Sequence, residues 1–523
     1  MNTKEQYLKL REEFTKKYEP TLYNSELAGW NFYTNSTEEN LKKYTQSQEQ
    51  MSNLFKDEQM YKSLKAIQEE GLEDKHLAKQ LKDLVKAFYN EIESGNELKA
   101  LRDKENEIAS KFNSYVMEID GKAISKAEIM VILEKEHNPE IRKKAYDANI
   151  KSGDEIADDL VEFVKMRNAY AKTKGYDTYF DYMIEDSYDI TPKELDALLN
   201  GVSSKIETKS IEFDEERKAE LAKSFGVKPE ELKDYHYGLI TDNTPEKTVT
   251  EYLTSKEQVV DIAKDVYKQM GFDVDNMGIT LDLFPRKNKN THGFAFCIKP
   301  AKDARILANL TNNTNSLDTI LHELGHCVYD IGLDISLPFL EQEPSSSAMT
   351  EAVAMMMGDL PKTENILSRL VPQDVLDKFK AELKKDDARF VNRSLQIIEF
   401  EREMYKNPER DLKSLWRDLK IKYLHRGDET ESNNEWATIP HFLSHPAYYQ
   451  NYFRASLIKA QLYDGLTKKL GKLTENKDTA KYLDENIFQY GGSKTDDEIL
   501  EKVTGKKLSA DAFCERLNKL VKE

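Results

Sequence analysis

The chain has 523 residues, of which 33% are charged and 39% are hydrophobic, and its formal net charge is −18. This acidic balance argues against nucleic-acid binding, which depends on neutralising phosphates, and the sequence contains no apolar run long enough to span a bilayer. Three widely spaced cysteines exclude a disulfide framework. The polar start MNTKEQYLKLREEF is unlike a signal peptide. A cytoplasmic location is therefore favoured, with export after removal of a signal left open.

The first half of the chain predicts helices. Residues 1–120 read as long, charged amphipathic helices, and Ser36 with Glu39 resembles a capping box at the start of one of them. Two further helices are expected to begin at Thr-Pro pairs, 191–192 and 244–245, because proline is favoured in the first turn. We interpret the charged helical faces as solvated surface.

Residues 279–311 differ from this helical background. Apolar and polar residues alternate there, with aromatic and β-branched types and a turn rich in lysine and asparagine, which predicts a small antiparallel sheet. Helix is expected again from Ser316 to the end of the chain. The predicted fold class is therefore mainly α, with one small sheet just ahead of the segment DTILHELGHCV (318–328).

That segment places two histidines four residues apart, with a glutamate directly after the first. On a helix His322 and His326 share one face and can bind one metal ion. Glu323 lies about 100° further around the helix and can reach a water without binding the metal. Zinc suits two imidazoles and a carboxylate, with a fourth position open for water. The predicted cofactor is one Zn²⁺ per chain.

Glu351, within SSSAMTEAVAMMMGDL (345–360), is the candidate third ligand. It follows the histidines at a distance that fits one helix and a loop. An isolated glutamate at such a position would be read as an ordinary exposed residue. After an HExxH helix the ligand reading is favoured.

These motifs resemble the angiotensin-converting-enzyme family of zinc peptidyl-dipeptidases, which are gluzincins, and more distantly the thimet oligopeptidase and oligoendopeptidase families. Those families pair HExxH with a glutamate some two dozen residues further on, and His326 and Glu351 are 25 residues apart. Four other segments carry the resemblance: LAGWNFYTNSTEEN (27–40), VKMRNAYAKTKGYDTYFDYM (164–183), THGFAF (291–296) and IPHFLSHPAYYQNYF (439–453).

The resemblance implies a fold and a substrate class. It implies a single catalytic domain over residues 1–523, shaped as a two-lobed helical ellipsoid with a deep central groove. Residues 1–115 would form a lid-like part and residues 279–460 would carry the active site. The implied substrates are short peptides, which a lidded groove admits in preference to folded proteins.

The resemblance also implies the catalytic roles. Glu323 would accept a proton from the zinc-bound water and deliver it to the leaving amine. Tyr452 and His441 would donate hydrogen bonds to the oxyanion that forms at the scissile carbonyl. His445 is an alternative to His441, which is favoured because IPHF and its distance to the tyrosines fit the oligoendopeptidase pattern.

Further positions would bind the substrate. The resemblance implies that His292, Gly293 and Ala295 hold the peptide backbone as an added β-strand. It also implies that Tyr449 binds the C-terminal carboxylate of a peptide. In the converting enzyme a lysine two residues before the downstream histidine helps to bind this carboxylate, but that position is Ile439 here. A single hydroxyl binds an anion less strongly than a charged pair.

Two other positions depart from the family pattern. The chloride-binding arginine is replaced by Asn451, so chloride activation is not expected from that site. The aspartate that usually orients a ligand histidine is replaced by Met355, so Asp359 or a backbone carbonyl is expected to take over this role.

Three functions therefore stay open. A peptidyl-dipeptidase is slightly favoured by the overall similarity, His292 and Tyr449. An oligoendopeptidase is supported by Ile439 and by IPHF. A catalytically inactive binding scaffold is the third alternative, and the presence of every expected zinc ligand and of Glu323 and Tyr452 argues against it.

Overall fold

A computed structural model describes residues 2–188, 190–241 and 244–519 of the chain. About 71% of the structure is helix and 4% is strand, which confirms the predicted mainly α class. Within the described residues the helices are α1 (Thr3–Thr34), α2 (Glu38–Leu54), α3 (Glu58–Glu70), α4 (Lys75–Ile92), α5 (Gly95–Ser114), α6 (Lys126–Lys135), α7 (Pro139–Asp154), α8 (Ala157–Thr173), α9 (Tyr179–Ser187), α10 (Pro192–Phe225), α11 (Pro245–Thr250), α12 (Lys256–Met270), α13 (Thr314–Ile331), α14 (Ser347–Gly358), α15 (Leu360–Thr363), α16 (Gln373–Lys406), α17 (Leu412–Leu424), α18 (His441–Ser444), α19 (Tyr449–Leu470), α20 (Asp478–Asn486), α21 (Asp496–Thr504) and α22 (Asp511–Asn518). The strands are β1 (Met117–Ile119), β2 (Lys122–Ile124), β3 (Ile279–Asp282), β4 (Phe294–Lys299) and β5 (Asp303–Leu307).

The chain forms two compact units, each assembled from three separate stretches of sequence. The first unit comprises Met1–Asn96, Glu246–Lys380 and Leu457–Ser509. The second comprises Glu97–Pro245, Ala381–Ser456 and Ala510–Glu523. Of the helices described, none combines the length and the apolar character needed to cross a membrane.

The helix starts follow local capping rules. Thr191 caps α10 in a capping box with Glu194, and Pro192 is its first residue, as the Thr-Pro pair predicts. The predicted capping box at Ser36 is wrong by one residue, because Thr37 is the N-cap of α2 and accepts the Asn40 N–H. The Ser36 hydroxyl instead donates to the Phe32 carbonyl at the end of α1.

The N-terminal helices of the first unit pack through an aromatic cluster. The ring of Phe14 on α1 lies 5.4 Å from that of Phe55 and 5.6 Å from that of Phe88 on α4, at angles typical of buried aromatic pairs. Near the other end of α1, the Trp30 ring meets the Phe296 ring of β4 at 5.5 Å. The first helix therefore joins the helical cluster to the small sheet.

The strands form two sheets. Strands β1 and β2 pair as a small antiparallel sheet, and the sheet ahead of α13 has the strand order β3-β5-β4. Strands β4 and β5 form the antiparallel pair that the sequence predicts, whereas β3 pairs with β5 in parallel. The chain between β3 and β4 is anchored by Lys289, whose buried amine donates to the carbonyls of Ala308 at 2.5 Å and Phe284 at 3.0 Å. Because β5 takes the central position, β4 is left at an edge of the sheet.

Helices α13 and α14 pack against each other at unusually short range. A Cβ atom at Gly325 would lie only 2.8 Å from the Cα of Ala354, so the glycine in HELGH allows this approach. A Cβ at Gly358 would likewise lie 2.7 Å from Oδ1 of Asp318. Helix α12 fixes α13 from another side, because the buried Tyr267 hydroxyl donates to the Leu321 carbonyl at 2.6 Å.

The second unit has its own aromatic core. The ring of Phe400 on α16 lies 4.9 Å from Trp416, 5.5 Å from Trp436 and 5.4 Å from Phe442. The two tryptophans are almost completely buried. This core connects α16 and α17 to the short helix α18 and thereby sets the position of the chain that follows it.

Candidate active site

The three predicted metal ligands come together in the first unit. His322 and His326 share one face of α13, and each Nε2 atom lies 3.7 Å from one carboxylate oxygen of Glu351 on α14. The three ligand atoms all lie within 4.8 Å of one another. Tetrahedral zinc with bonds near 2.0–2.2 Å places its ligand atoms about 3.4 Å apart, so the observed spacing fits such an ion.

The protonation states of these side chains suit a cation. Burial lowers the pKa of His322 to about 4, and burial together with the neighbouring His322 lowers that of His326 to about 3. Both imidazoles are therefore neutral at pH 7, the form that binds metal. Burial raises the pKa of Glu351 to about 7. A half-buried carboxylate among neutral imidazoles is stabilised by a bound cation, and this donor set is one that zinc prefers.

Thr350 contacts one of the candidate ligand histidines. Its hydroxyl oxygen lies 2.8 Å from Nδ1 of His326. When Nε2 binds a metal ion, Nδ1 carries the proton and donates to this hydroxyl, which fixes the ring orientation. Thr350 was not predicted, although it directly precedes Glu351 in the sequence.

Asp359 is the residue that was expected to orient a ligand histidine in place of the family's aspartate. It instead accepts a hydrogen bond from the buried amine of Lys459 at 2.6 Å. This charged pair lies at the end of α14, where Asp359 is the C-cap residue. Its contact joins α14 to the part of α19 that belongs to the first unit.

Within the part of the chain that the structure describes, the His-His-Glu group is the single cluster of such side chains close enough to hold a metal ion.

The start of α14 is held by two serines. Ser346 is its N-cap and accepts the Met349 N–H at 3.0 Å. The hydroxyls of Ser345 and Ser346 donate to the two carboxylate oxygens of Asp496 at 2.8 and 2.7 Å. Both contacts restrain the first turns of α14, which carry Thr350 and Glu351.

Glu323 lies beside the candidate ligands in a half-buried position. Burial and the negative charge of Glu351 raise the pKa of Glu323 to about 7, a hydrogen bond from the Ala295 N–H lowers it, and Asp318 raises it. A Cβ atom at Gly293 would lie 3.6 Å from Oε1 of Glu323. The structure thus brings Glu323 together with two of the predicted substrate-binding positions.

These positions lie at and just before β4. The strand begins at Phe294, so His292 and Gly293 belong to the turn before it, and only Ala295 lies within it. His292 is exposed, and its N–H donates to Oδ1 of Asn290 at 2.9 Å. An edge strand of this kind offers main-chain groups to an incoming chain.

The remaining predicted residues come together in the second unit, in a region that we call the histidine–tyrosine segment (residues 441–452). The His441 ring lies 4.9 Å from the Tyr449 ring and 6.1 Å from the Tyr452 ring, and the two tyrosine rings lie 5.5 Å apart. His445 is exposed and has Nδ1 2.7 Å from the Ser444 hydroxyl.

His441 is less exposed to solvent than His445. Burial and the nearby His445 lower the pKa of His441, so its ring is neutral near pH 7. Its buried Nδ1 has no hydrogen-bond partner among the described protein groups, which is unusual for a buried polar atom. Ile439 occupies the position of the family's lysine, and it is buried at 9% exposure.

Comparisons with known proteins agree with this geometry. The sequence profile of peptidase family M3 matches residues 132–519, and that of peptidase family M2, angiotensin-converting enzyme, matches residues 1–208. Oligopeptidase PepF of Bacillus subtilis (strain 168) is 25% identical over an alignment of 409 residues, and the alignment covers 73% of this chain and 56% of that protein. The chain thus spans about half the length of this curated relative. The expected resemblance to both groups is confirmed, and because the first profile covers most of the sequence, the chain belongs to peptidase family M3.

Proposed function

We propose that this protein is a zinc-dependent peptidase that hydrolyses internal bonds of short peptides. The proposal is carried by one observation: three ligand atoms of His322, His326 and Glu351 lie within 4.8 Å of one another, with Glu323 next to them. Membership of a peptidase family supports it, and so does the similarity to a protein named as an oligopeptidase.

Zinc bound at these three side chains would supply a water of lowered pKa and a Lewis acid for the scissile carbonyl. Glu323 is the general base in this proposal: it accepts the proton of the attacking water and returns it to the leaving amine. The Ala295 N–H lowers the pKa of the Glu323 carboxylate. The start of β4 therefore acts on the proposed base.

The histidine–tyrosine segment would supply the donors for the oxyanion. The phenol of Tyr452 and the imidazole of His441 are the two proposed donors, and preplaced donors of this kind are worth about 10²–10³ in kcat. The short ring-to-ring distances among His441, Tyr449 and Tyr452 support a common role.

The substrate backbone would bind along β4. The edge of this strand offers main-chain groups around Ala295, and His292 and Gly293 flank its start. Main-chain hydrogen bonds do not depend on the side chains of the substrate, so we expect broad sequence tolerance. Residues 1–115 are proposed to restrict access to short peptides, as the family resemblance implies.

Internal cleavage is preferred because the buried Ile439 provides no charge for a terminal carboxylate. Release of C-terminal dipeptides is the second candidate, and one observation favours it. Burial raises the pKa of Tyr449, but the positive charge of Arg393 opposes this. A guanidinium whose charge acts on the phenol adds positive potential where a carboxylate could bind.

A product map tests the proposal. The zinc-loaded protein is incubated with one ten-residue peptide whose C-terminus is either free or amidated, and the fragments are read by mass spectrometry. Equal internal cleavage of both peptides supports the oligopeptidase. Successive dipeptides from the free peptide alone would support the second candidate. A folded protein offered as substrate is expected to stay intact.

Glu323→Gln is the matched control. It leaves the three metal ligands in place, so its zinc content should equal that of the wild type while kcat falls about 10²–10⁴-fold. If the wild-type protein cleaves neither peptide at full zinc occupancy, the peptidase proposal is wrong and a binding scaffold becomes the better reading.

A further inference from the structure

The main chain of the histidine–tyrosine segment is held by buried side chains from distant parts of the second unit. Between α18 and α19 the chain turns sharply, and Ala447 has a φ of 57°, in the left-handed region that favours glycine. An alanine persists in this conformation only where its surroundings enforce it. Contacts from Arg167, Glu401 and Tyr188 hold the main chain around this alanine.

Arg167 on α8 is buried at 3% exposure and binds the end of α18. Its Nη1 donates to the Phe442 carbonyl at 2.7 Å and its Nη2 donates to the Leu443 carbonyl at 2.5 Å. These carbonyls belong to a helix of one turn, which leaves them without partners inside the helix. The planar guanidinium binds both at once and so fixes their relative orientation.

Glu401 on α16 holds the next part of the turn. It is buried at 1% exposure, and its Oε1 accepts the Ala447 N–H at 2.8 Å. Burial raises the pKa of Glu401 to about 8, although the Ala447 N–H and the positive charge of Arg167 oppose the increase. The Tyr188 hydroxyl completes the set by donating to the Pro446 carbonyl at 3.0 Å.

The cost of this arrangement argues for a purpose beyond stability. An ionisable carboxyl and a guanidinium are buried far from water to bind main-chain groups, and apolar residues of similar size commonly stabilise a fold as well or better. Yet the segment between these contacts is partly solvated, since Ser444 and His445 are exposed. What the contacts achieve is a fixed backbone between His441 and Tyr449.

We infer that Arg167 and Glu401 are positioning residues, which hold the main chain of residues 442–447 so that His441 and Tyr449 keep one orientation toward the substrate. This inference rests on the proposed function, because it assigns Arg167 and Glu401 an effect on catalysis through His441 and Tyr449. Neither side chain touches the substrate.

The test compares two substitutions of Glu401 in the full-length, zinc-loaded protein. Glu401→Met removes the acceptor of the Ala447 N–H and is expected to lower kcat/KM for the decapeptide about 10–100-fold, since a misplaced catalytic group costs about this much. Glu401→Gln keeps an acceptor oxygen and is expected to recover at least a third of the wild-type value. Zinc content should be equal in all three proteins.

A double-mutant cycle separates positioning from general loss of stability. In a His441→Ala background, Glu401→Met is expected to cost several-fold less than in the wild type, because only Tyr449 then remains to be positioned. Full additivity of the two substitutions would overturn the inference. As a control, Glu220→Met removes a carboxylate of α10 that binds Arg217 and Thr241, and it should lower stability without lowering kcat/KM.

Tyr188→Phe keeps the test decisive if Glu401→Met fails to fold. It removes one hydroxyl that donates to Pro446 and is expected to lower kcat/KM about 3–10-fold with little change in melting temperature. Unchanged kcat/KM in both Glu401→Met and Tyr188→Phe would refute the positioning role alone. Absence of cleavage by the wild type would refute the proposed function and the inference with it.

Discussion

The metal ligands and the histidine–tyrosine segment are built in opposite ways. His322, His326 and Glu351 lie on α13 and α14, two neighbouring helices that pack directly through Gly325. The histidine–tyrosine segment instead contains a helix of one turn and a strained alanine, and side chains of α8 and α16 hold it in place. The first arrangement is local and regular, whereas the second depends on contacts between distant parts of the sequence.

Removing the metal should produce the largest difference in behaviour between the two regions. Treatment with 1,10-phenanthroline is expected to lower peptidase activity by more than about 100-fold, and added zinc should restore it. Because ligand binding stabilises the state that binds it, hydrogen exchange in α14 should become faster. Exchange in residues 442–447 should stay unchanged.

The non-chelating 1,7-phenanthroline serves as the control for this experiment. Equal acceleration of exchange in both regions after chelation would show that the two depend on the same metal.

The packing of α13 on α14 can be tested by adding a single methyl group. Gly325→Ala would place a Cβ 2.8 Å from the Cα of Ala354, so the helices must separate. We expect a loss of about 1–3 kcal/mol of unfolding free energy and weaker zinc binding, measured by denaturant titration and metal competition. Gly427→Ala is the matched control, because nothing lies within 4 Å of its added Cβ, and it should stay within about 0.5 kcal/mol.

Thr350 offers a finer probe of the metal ligands. Thr350→Val removes the hydroxyl that lies 2.8 Å from Nδ1 of His326 and keeps the side-chain shape. Zinc affinity is expected to fall about 10–100-fold, while Thr350→Ser should retain most of it. If the valine variant binds zinc as tightly as the wild type, this hydrogen bond does not orient the ligand.

The pH dependence of stability probes the second region. The pKa of Glu401 is raised to about 8 in the folded protein, above the value near 4.3 of an unfolded chain. The folded state therefore retains a proton that the unfolded chain releases, and stability falls as pH rises between about 5 and 8. The slope reaches at most about 1.4 kcal/mol per pH unit.

Glu401→Gln should remove this slope. Melting temperatures measured from pH 5 to 9 are expected to favour the glutamine variant increasingly at alkaline pH. Parallel curves for the two proteins would mean that Glu401 is ionised at neutral pH in the folded state.

The contrast between the two regions explains which features of the fold and of the candidate site could be predicted from the sequence. The helical fold and the three ligand positions follow from periodicity and from a short motif, because α13 and α14 obey local rules. Thr350 was missed although it is adjacent to Glu351, since threonine in a helix has no pattern of its own. The parallel pairing of β3 was missed because it depends on the path of the chain around Lys289.

The supports of the histidine–tyrosine segment could not be read from the sequence. Arg167 lies 275 residues before Phe442, and no spacing rule connects two such positions. Arg167 lies in the segment 164–183, which resembles the family, but the resemblance assigns this arginine no role. Glu401 lies inside the 34-residue helix α16, where a glutamate is ordinarily expected to face solvent. Only the folded chain shows that both side chains point into the second unit.

The assembly of each unit from three stretches has a consequence for biosynthesis. The ribosome makes Glu351 well before Ser509, the last residue of the first unit. At about 5–20 residues per second the intervening chain takes roughly 8–30 s to synthesise. Throughout this interval the nascent chain carries all three proposed zinc ligands without the segment that completes their unit. Metal loading in the cell is therefore expected to follow release from the ribosome, and truncation of the C-terminal stretch should cost the metal site although no ligand is lost.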